Sequence, residues 1–183
     1  MKAGAIWLPS ARRVISPNCD ARPAGTAIDL LVIHNISLPP GEFGGPWIDR
    51  LFQNRLPAQA HPYFATIHQL RVSAHLLIRR DGTLIQYVPL ELRAWHAGSS
   101  CFQGRERCND FSIGVELEGT VELPFDDRQY RVLAATAREL LRRFPAIAPS
   151  HIVGHCDIAS GRKTDPGAAF DWKRFRRLLR FAA

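Results

Sequence analysis

Hydrophobic positions along the 183-residue chain fall into short runs separated by polar and Gly/Pro-rich stretches. Asp29 to His34 contains the unbroken run Leu30-Leu31-Val32-Ile33, the pattern of a buried central strand, with His34 at its C-terminal end. A loop rich in Pro and Gly follows from Pro39 to Pro46, and Trp47-Ile48-Asp49-Arg50-Leu51-Phe52 predicts a short helix. Ala74 to Val88 reads as a hairpin around Asp81-Gly82, a dipeptide suited to a type I′ turn. Phe111 to Gly119 alternates, with Phe111, Ile113, Val115 and Leu117 on one face and Ser112, Gly114, Glu116 and Glu118 on the other. That pattern predicts a half-buried strand presenting carboxylates. Asp126 to Phe144 predicts the longest helix: Asp126 and Gln129 suit its N-terminal cap, Leu133, Ala137, Leu140, Leu141 and Phe144 form its apolar stripe, and Pro145 stops it. A last strand near Ile152 to His155 precedes a C-terminal amphipathic helix carrying Trp172, Phe175, Leu178 and Leu179. Strands and helices interleave while the hairpin forces some antiparallel pairing, so the expected fold is α/β, with a central mixed β-sheet flanked by α-helices. No linker divides the chain, and residues 1–183 are expected to form a single domain.

Composition changes this picture little. A hydrophobic fraction of 46% and a charged fraction of 22% are ordinary for a globular protein, and no apolar run reaches bilayer length. The N-terminus does not read as a signal peptide, because the apolar stretch after Lys2 is short, Pro9 interrupts it, and Arg12 and Arg13 follow. Cys19, Cys101, Cys108 and Cys156 lack paired metal or redox spacing and are expected as free thiols. Cys156 follows His155 directly; in an extended strand the two point to opposite faces and do not share a metal. A net charge of +7 raises a nucleic-acid reading, focused on Lys173-Arg174-Phe175-Arg176-Arg177. Those cations are more simply the solvated face of an amphipathic helix, so no nucleic-acid partner is expected. Basicity suits a small polyanionic substrate equally well.

Candidate chemistry concentrates in Val153 to Gly167, where one strand-and-loop unit holds an imidazole at His155, an ammonium at Lys163 and carboxylates at Asp157 and Asp165. Imidazole and carboxylate are ordinary Zn²⁺ ligands, and a nearby Lys can stabilise an oxyanion. Lys163 lies two residues from Asp165 and shares its side if the segment is extended. His34, ending its strand before a loop, is the natural further ligand. Two neutral imidazoles and one carboxylate leave a fourth position open, the catalytic rather than the structural zinc pattern. Glu116 and Glu118 share the polar face of their strand, and either could serve as general base toward a water whose pKa a metal lowers to roughly 7. Parity does not choose between them.

Longer blocks carry a resemblance. Leu31-Val32-Ile33-His34-Asn35 through Gly45, His61-Pro62-Tyr63-Phe64, Arg71-Val72-Ser73-Ala74-His75, Arg93-Ala94-Trp95-His96-Ala97-Gly98, Gly104 to Gly114, and Gly154-His155-Cys156 through Pro166-Gly167 closely resemble the zinc amidases that share a fold with T7 lysozyme and the peptidoglycan recognition proteins, in particular their cytosolic branch. The resemblance covers nearly the whole chain. It implies His34, His155 and Asp165 as Zn²⁺ ligands, Glu116 as the residue that activates water, and Lys163 as the transition-state stabiliser. It also implies a small-molecule substrate, 1,6-anhydro-N-acetylmuramic acid bearing a peptide that begins with L-alanine, cut at the lactyl–alanine amide in cytoplasmic peptidoglycan recycling. In organisms with the matching regulator, that cut would dampen β-lactamase induction. The stem peptide's carboxylates would give Arg71 and Arg107 a purpose as forked anion binders. Trp95 would stack on the ligand, Asn35 would hydrogen-bond its peptide, and Tyr63 would support the site. Non-catalytic recognition proteins of this fold lack a full ligand set, whereas this sequence retains Asp165. No membrane and no obligate protein partner is implied.

Overall fold

The structure, a computed structural model, describes residues 4–180, so Lys2 of the N-terminal reading lies outside the described residues. Strands β1 (Arg12–Arg13), β2 (Cys19–Asp20) and β3 (Leu30–Ile36) are followed by helices α1 (Trp47–Phe52) and α2 (Pro62–Ile67). Then come β4 (Leu76–Ile78), β5 (Leu84–Gln86), β6 (Arg93–Ala94), β7 (Cys101–Phe102), β8 (Arg105–Glu106) and β9 (Ser112–Glu118). Helix α3 (Asp127–Arg143), strand β10 (Ile152–Gly154) and helices α4 (His155–Ile158) and α5 (Trp172–Arg180) complete the chain.

Six strands form one mixed sheet in the order β1-β5-β4-β9-β3-β10, with β4–β5 its antiparallel pair and the other neighbours parallel. The apolar run of β3 suits a central position, since Leu30 to Ile33 are fully buried. One face of the sheet packs Leu31, Ile33, Ile113 and Val115 against Leu133, Ala137 and Leu140 of α3 and Phe175 of α5. The capping box expected at Asp126 and Gln129 is present, and α3 ends at Arg143 before Pro145. On the opposite face the apolar material splits. Leu77 and Ile85 pack against Ile48, Leu51 and Phe52 of α1, whereas Leu30 and Val32 pack against Ala97, Cys108 and Ile158. Polar side chains of β3 and β9 occupy the interval between these clusters, where the functional residues gather.

Three expectations are corrected. The β4–β5 hairpin does not use a two-residue type I′ turn, because only Gly82 of the dipeptide has positive φ, +87°. Gly82 N–H donates to the Arg79 carbonyl and Arg79 N–H to the Thr83 carbonyl, a three-residue loop closed by a left-handed glycine. Strand β9 is not half-buried: Ser112 and Gly114 are buried and Glu118 is 2% exposed, because parallel neighbours flank it and structure covers both faces. Finally, β10 stops at Gly154, so His155 and Cys156 lie in a helical turn rather than an extended strand.

Candidate metal centre

Three elements deliver one cluster. His34 stands near the C-terminal end of β3, His155 opens α4 directly after the adjacent strand β10, and Asp165 sits in the following loop. His34 Nδ1 lies 3.0 Å from both His155 Nδ1 and Asp165 Oδ2, and His155 Nδ1 lies 3.1 Å from the same oxygen. The loop is tied back to α4 by the Cys156 N–H, which donates to the Asp165 carbonyl at 2.9 Å. Asp157 is occupied elsewhere, accepting from the Gly154 N–H at 2.7 Å at the start of α4. Cys156 does not join the cluster among the described residues.

The cluster is poised for a cation rather than a proton. Burial pushes the His34 imidazole down to about 4, partly offset by its hydrogen bond to Asp165. Burial would raise the Asp165 carboxyl, but hydrogen bonds from His155 and His34 hold it well below the usual carboxylate range. His155 Nε2 donates to the Ala97 carbonyl at 3.1 Å, so in the neutral imidazole Nδ1 faces the cluster with a lone pair, where a cation would replace the proton otherwise shared with Asp165. Two imidazole nitrogens and a carboxylate oxygen all within 4.8 Å of one another are a donor set of the kind zinc takes, with room for one more ligand.

Glu116 stands beside His34 in the β3–β9 register. Its Oε2 is buried without a hydrogen-bond partner, and burial followed by the Asp165 charge pushes its carboxyl well above the usual range, against the Lys163 ammonium. Glu118, equivalent by parity, is consumed structurally: it accepts from Gly44 N–H and Arg80 N–H and pairs with Arg79 at 3.2 Å. The structure therefore separates two carboxylates that strand parity leaves equivalent.

A cavity of about 450 Å³ opens over the cluster, lined by His34, Glu116, His155, Lys163 and Asp165 together with Asn35, Tyr63 and Trp95. Lys163 is exposed, directly after a turn at residues 160–162, with its N–H donating to the Ala159 carbonyl. Asn35 Nδ2 donates to the Pro166 carbonyl, Trp95 Nε1 to Asp20 Oδ1, and Tyr63 is 41% exposed. Arg71 lines an adjoining recess of about 250 Å³ with Trp95 and Lys163, its guanidinium resting on the Gln69 and Leu70 carbonyls. Arg107 is not brought to either space. It lines a neighbouring depression with Glu106, Asp157 and Arg162, 3.5 Å from Asp110.

Two residues escaped the sequence reading. Arg162 lines all three spaces and donates to the Ala97 carbonyl at 2.8 Å, the acceptor that also fixes His155. His96 lies behind His34, its Nδ1 2.9 Å from His34 Nε2. His96 falls in one of the resemblance blocks without a role, and the local signal for its contact is Gly114, a glycine in mid-strand, which often marks close approach of another group.

A largely buried His-His-Asp cluster, a buried carboxyl and an exposed ammonium around one cleft define a site suited to metal-assisted hydrolysis. Comparison with known proteins is specific. The family described as N-acetylmuramoyl-L-alanine amidase matches residues 24–168, and the chain belongs to it. The chain is 64% identical over 173 residues to the 1,6-anhydro-N-acetylmuramyl-L-alanine amidase AmpD of Citrobacter freundii, covering 94% of this chain and 92% of that protein. A crystal structure of a selenomethionine AmpD derivative superposes with a TM-score of 0.93 at 62% identity, over 98% of this chain and 99% of the other. AmiD of E. coli, in complex with anhydro-N-acetylmuramic acid-L-Ala-D-γ-Glu-L-Lys, is 30% identical with a TM-score of 0.60, over 86% of this chain and 60% of that one. Among the described residues no helix is long and apolar enough to cross a membrane.

Proposed function

We propose that this amidase is a zinc enzyme that cuts the amide between the lactyl group of 1,6-anhydro-N-acetylmuramic acid and the L-alanine of its stem peptide, acting as one catalytic domain in cytoplasmic peptidoglycan recycling. The observation that carries the reading is the convergence of His34, His155 and Asp165 beside the unpartnered Glu116 carboxyl. Those three side chains would hold the ion. When bound, Zn²⁺ supplies Lewis acidity that polarises the scissile carbonyl and makes water acidic enough to deprotonate near neutral pH. Glu116 takes the proton of the attacking water and passes it to the leaving alanine nitrogen. Burial raises its pKa, which favours the acid half of that duty, the carboxyl holding the proton until the nitrogen leaves. Lys163, exposed at the rim, swings its ammonium to the developing oxyanion.

The 1,6-anhydro specificity rests on the names of the relatives and on the ligand in the AmiD complex. Asn35, Tyr63 and Trp95 would contact sugar and peptide within the cavity, and Arg71 at its edge would meet a peptide carboxylate. Arg107, 71% exposed along its side chain, would reach a carboxylate further along the stem peptide. The test is metal removal: stripped protein should lose release of free stem peptide from an anhydromuropeptide, read by mass spectrometry, and regain it with Zn²⁺. Full activity after verified stripping would refute the zinc reading.

A further inference from the structure

The two histidines of the cluster are backed differently. His155 Nε2 meets a backbone carbonyl, which can only accept. His34 Nε2 meets another imidazole, His96 Nδ1, at 2.9 Å, and an imidazole nitrogen can donate or accept. The next contact, His96 Nε2 at 3.2 Å from the hydroxyl of Ser112, can run either way, so the direction is decided by which nitrogen of His34 faces the cation. If His34 offers Nδ1 to a cation, its single proton must sit on Nε2 and be donated to His96 Nδ1. A neutral His96 then carries its own proton on Nε2 and donates it to Ser112 Oγ.

His96 is built to hold this pose. The backbone N–H groups of His96 and Ala97 both donate to Asn109 Oδ1, at 3.1 and 2.8 Å. Its ring lies across Gly114, where a Cβ would stand 2.5 Å from His96 Cγ, so only glycine leaves the space. The ring is edge-on to His34, with centroids 4.9 Å apart at 84°, and His75 closes the other side at 5.8 Å.

We propose that His96, seated on Gly114 and anchored by Ser112, is the positioning residue that fixes the tautomer and aim of His34, forming a relay Ser112–His96–His34 beside the metal centre. The inference rests on the zinc reading above. A neutral imidazole orients His34 without adding a further negative charge to a floor that already holds Glu116 and Asp165, whereas a carboxylate in its place would.

The experiment measures zinc, not turnover. Zinc affinity by chelator competition should fall about 10- to 100-fold in His96→Phe, which keeps a ring and loses the acceptor. In His96→Asn, whose side-chain oxygen restores an acceptor near the Nδ1 position, affinity should return to within about threefold of wild type, a rescue that a purely structural role would not give. ¹⁵N-histidine NMR of zinc-loaded wild type should show His34 protonated on Nε2 and His96 protonated on Nε2, and this measurement decides the matter if His96→Phe does not fold. A folded His96→Phe with wild-type zinc affinity, or a His96 protonated on Nδ1 while His34 binds zinc, overturns this inference alone. Failure of the wild-type chain to bind zinc at all overturns the functional reading and this inference with it.

Discussion

Gly114→Ala isolates the coupling between packing and the metal centre. The new Cβ would stand 2.5, 2.6 and 2.7 Å from His96 Cγ, Nδ1 and Cδ2, so the ring must retreat by about 1 Å to reach ordinary van der Waals contact. Toward its flanks it has little room, because the His34 and His75 rings stand on either hand, and any retreat must go into the adjoining cavity that it lines. Overpacking of this kind costs about 1–3 kcal/mol of folding stability. The same retreat would stretch the 2.9 Å contact to His34 past hydrogen-bond range, so zinc affinity should fall about 10-fold or more in addition. Gly119→Ala supplies the control, because its Cβ would meet Phe125 Cε1 at the same 2.5 Å, one residue beyond β9 and against the opposite apolar cluster. Urea denaturation of both metal-free variants should show comparable losses, whereas chelator competition should show weakened zinc binding in Gly114→Ala only. Wild-type zinc affinity in a destabilised Gly114→Ala would refute the proposed link. An unchanged midpoint would refute the packing argument itself.

Other outcomes follow from the same geometry. Glu116→Gln should cut turnover by about 10²- to 10⁴-fold while zinc content stays near wild type, and co-loss of zinc would show that Glu116 is a ligand instead. The raised Glu116 pKa means that the native carboxyl stays protonated at pH values where the unfolded one ionises, so native stability is lost as pH rises above the unfolded value of 4.5. Glu116→Gln should therefore melt higher than wild type in the metal-free state at neutral pH, with the gain vanishing near pH 4. His75 has the opposite sign: burial, then the Arg22 charge, pushes it down to about 3 from 6.5, so it is neutral when native and protonated when unfolded at intermediate pH. Metal-free protein should thus lose roughly 1 kcal/mol of stability per pH unit from this residue alone as pH falls from 6.5 toward 3, and a flat urea-midpoint profile over that range would contradict it. Lys163→Ala should lower kcat by about 10- to 10³-fold with zinc affinity preserved, checked by steady-state kinetics alongside metal analysis.

Much of the fold is legible in the chain because the signals are local. The capping box of Asp126 and Gln129, the apolar stripe of α3 and the run Leu30 to Ile33 each specify an element without help from the rest of the molecule. Alternation in β9 is equally clear, yet alternation reports which residues share a face and not how many layers cover it. Hence Ser112 and Gly114, polar or small, look solvent-facing in sequence and are buried in the structure. The hairpin turn fails for a related reason: a glycine with positive φ serves both a type I′ turn and a three-residue loop, so Asp81-Gly82 announces a reversal without fixing its length.

The site shows the same limit more sharply. Glu116 and Glu118 are equivalent by parity, and what separates them is non-local. The β3–β9 register sets Glu116 beside His34, while the loop after β4 brings Arg79 and the Arg80 N–H onto Glu118. An acid that is given three donors is a fastener; an acid left with a buried, unpartnered oxygen beside a donor cluster is held at a cost that folding alone does not repay. The same reasoning finds His96. Its sequence context is an ordinary loop after β6, and its relevance appears only where Gly114 removes a side chain from the middle of a strand to admit an imidazole behind His34. In both cases the local sequence rule is broken, by a buried acid in one and a mid-strand glycine in the other, and both breaks lie on β9, one beside His34 and the other against the imidazole that backs it. Such violations concentrate where chemistry outweighs stability, which makes the polar face of β9, rather than any single motif, the part of this chain to perturb first.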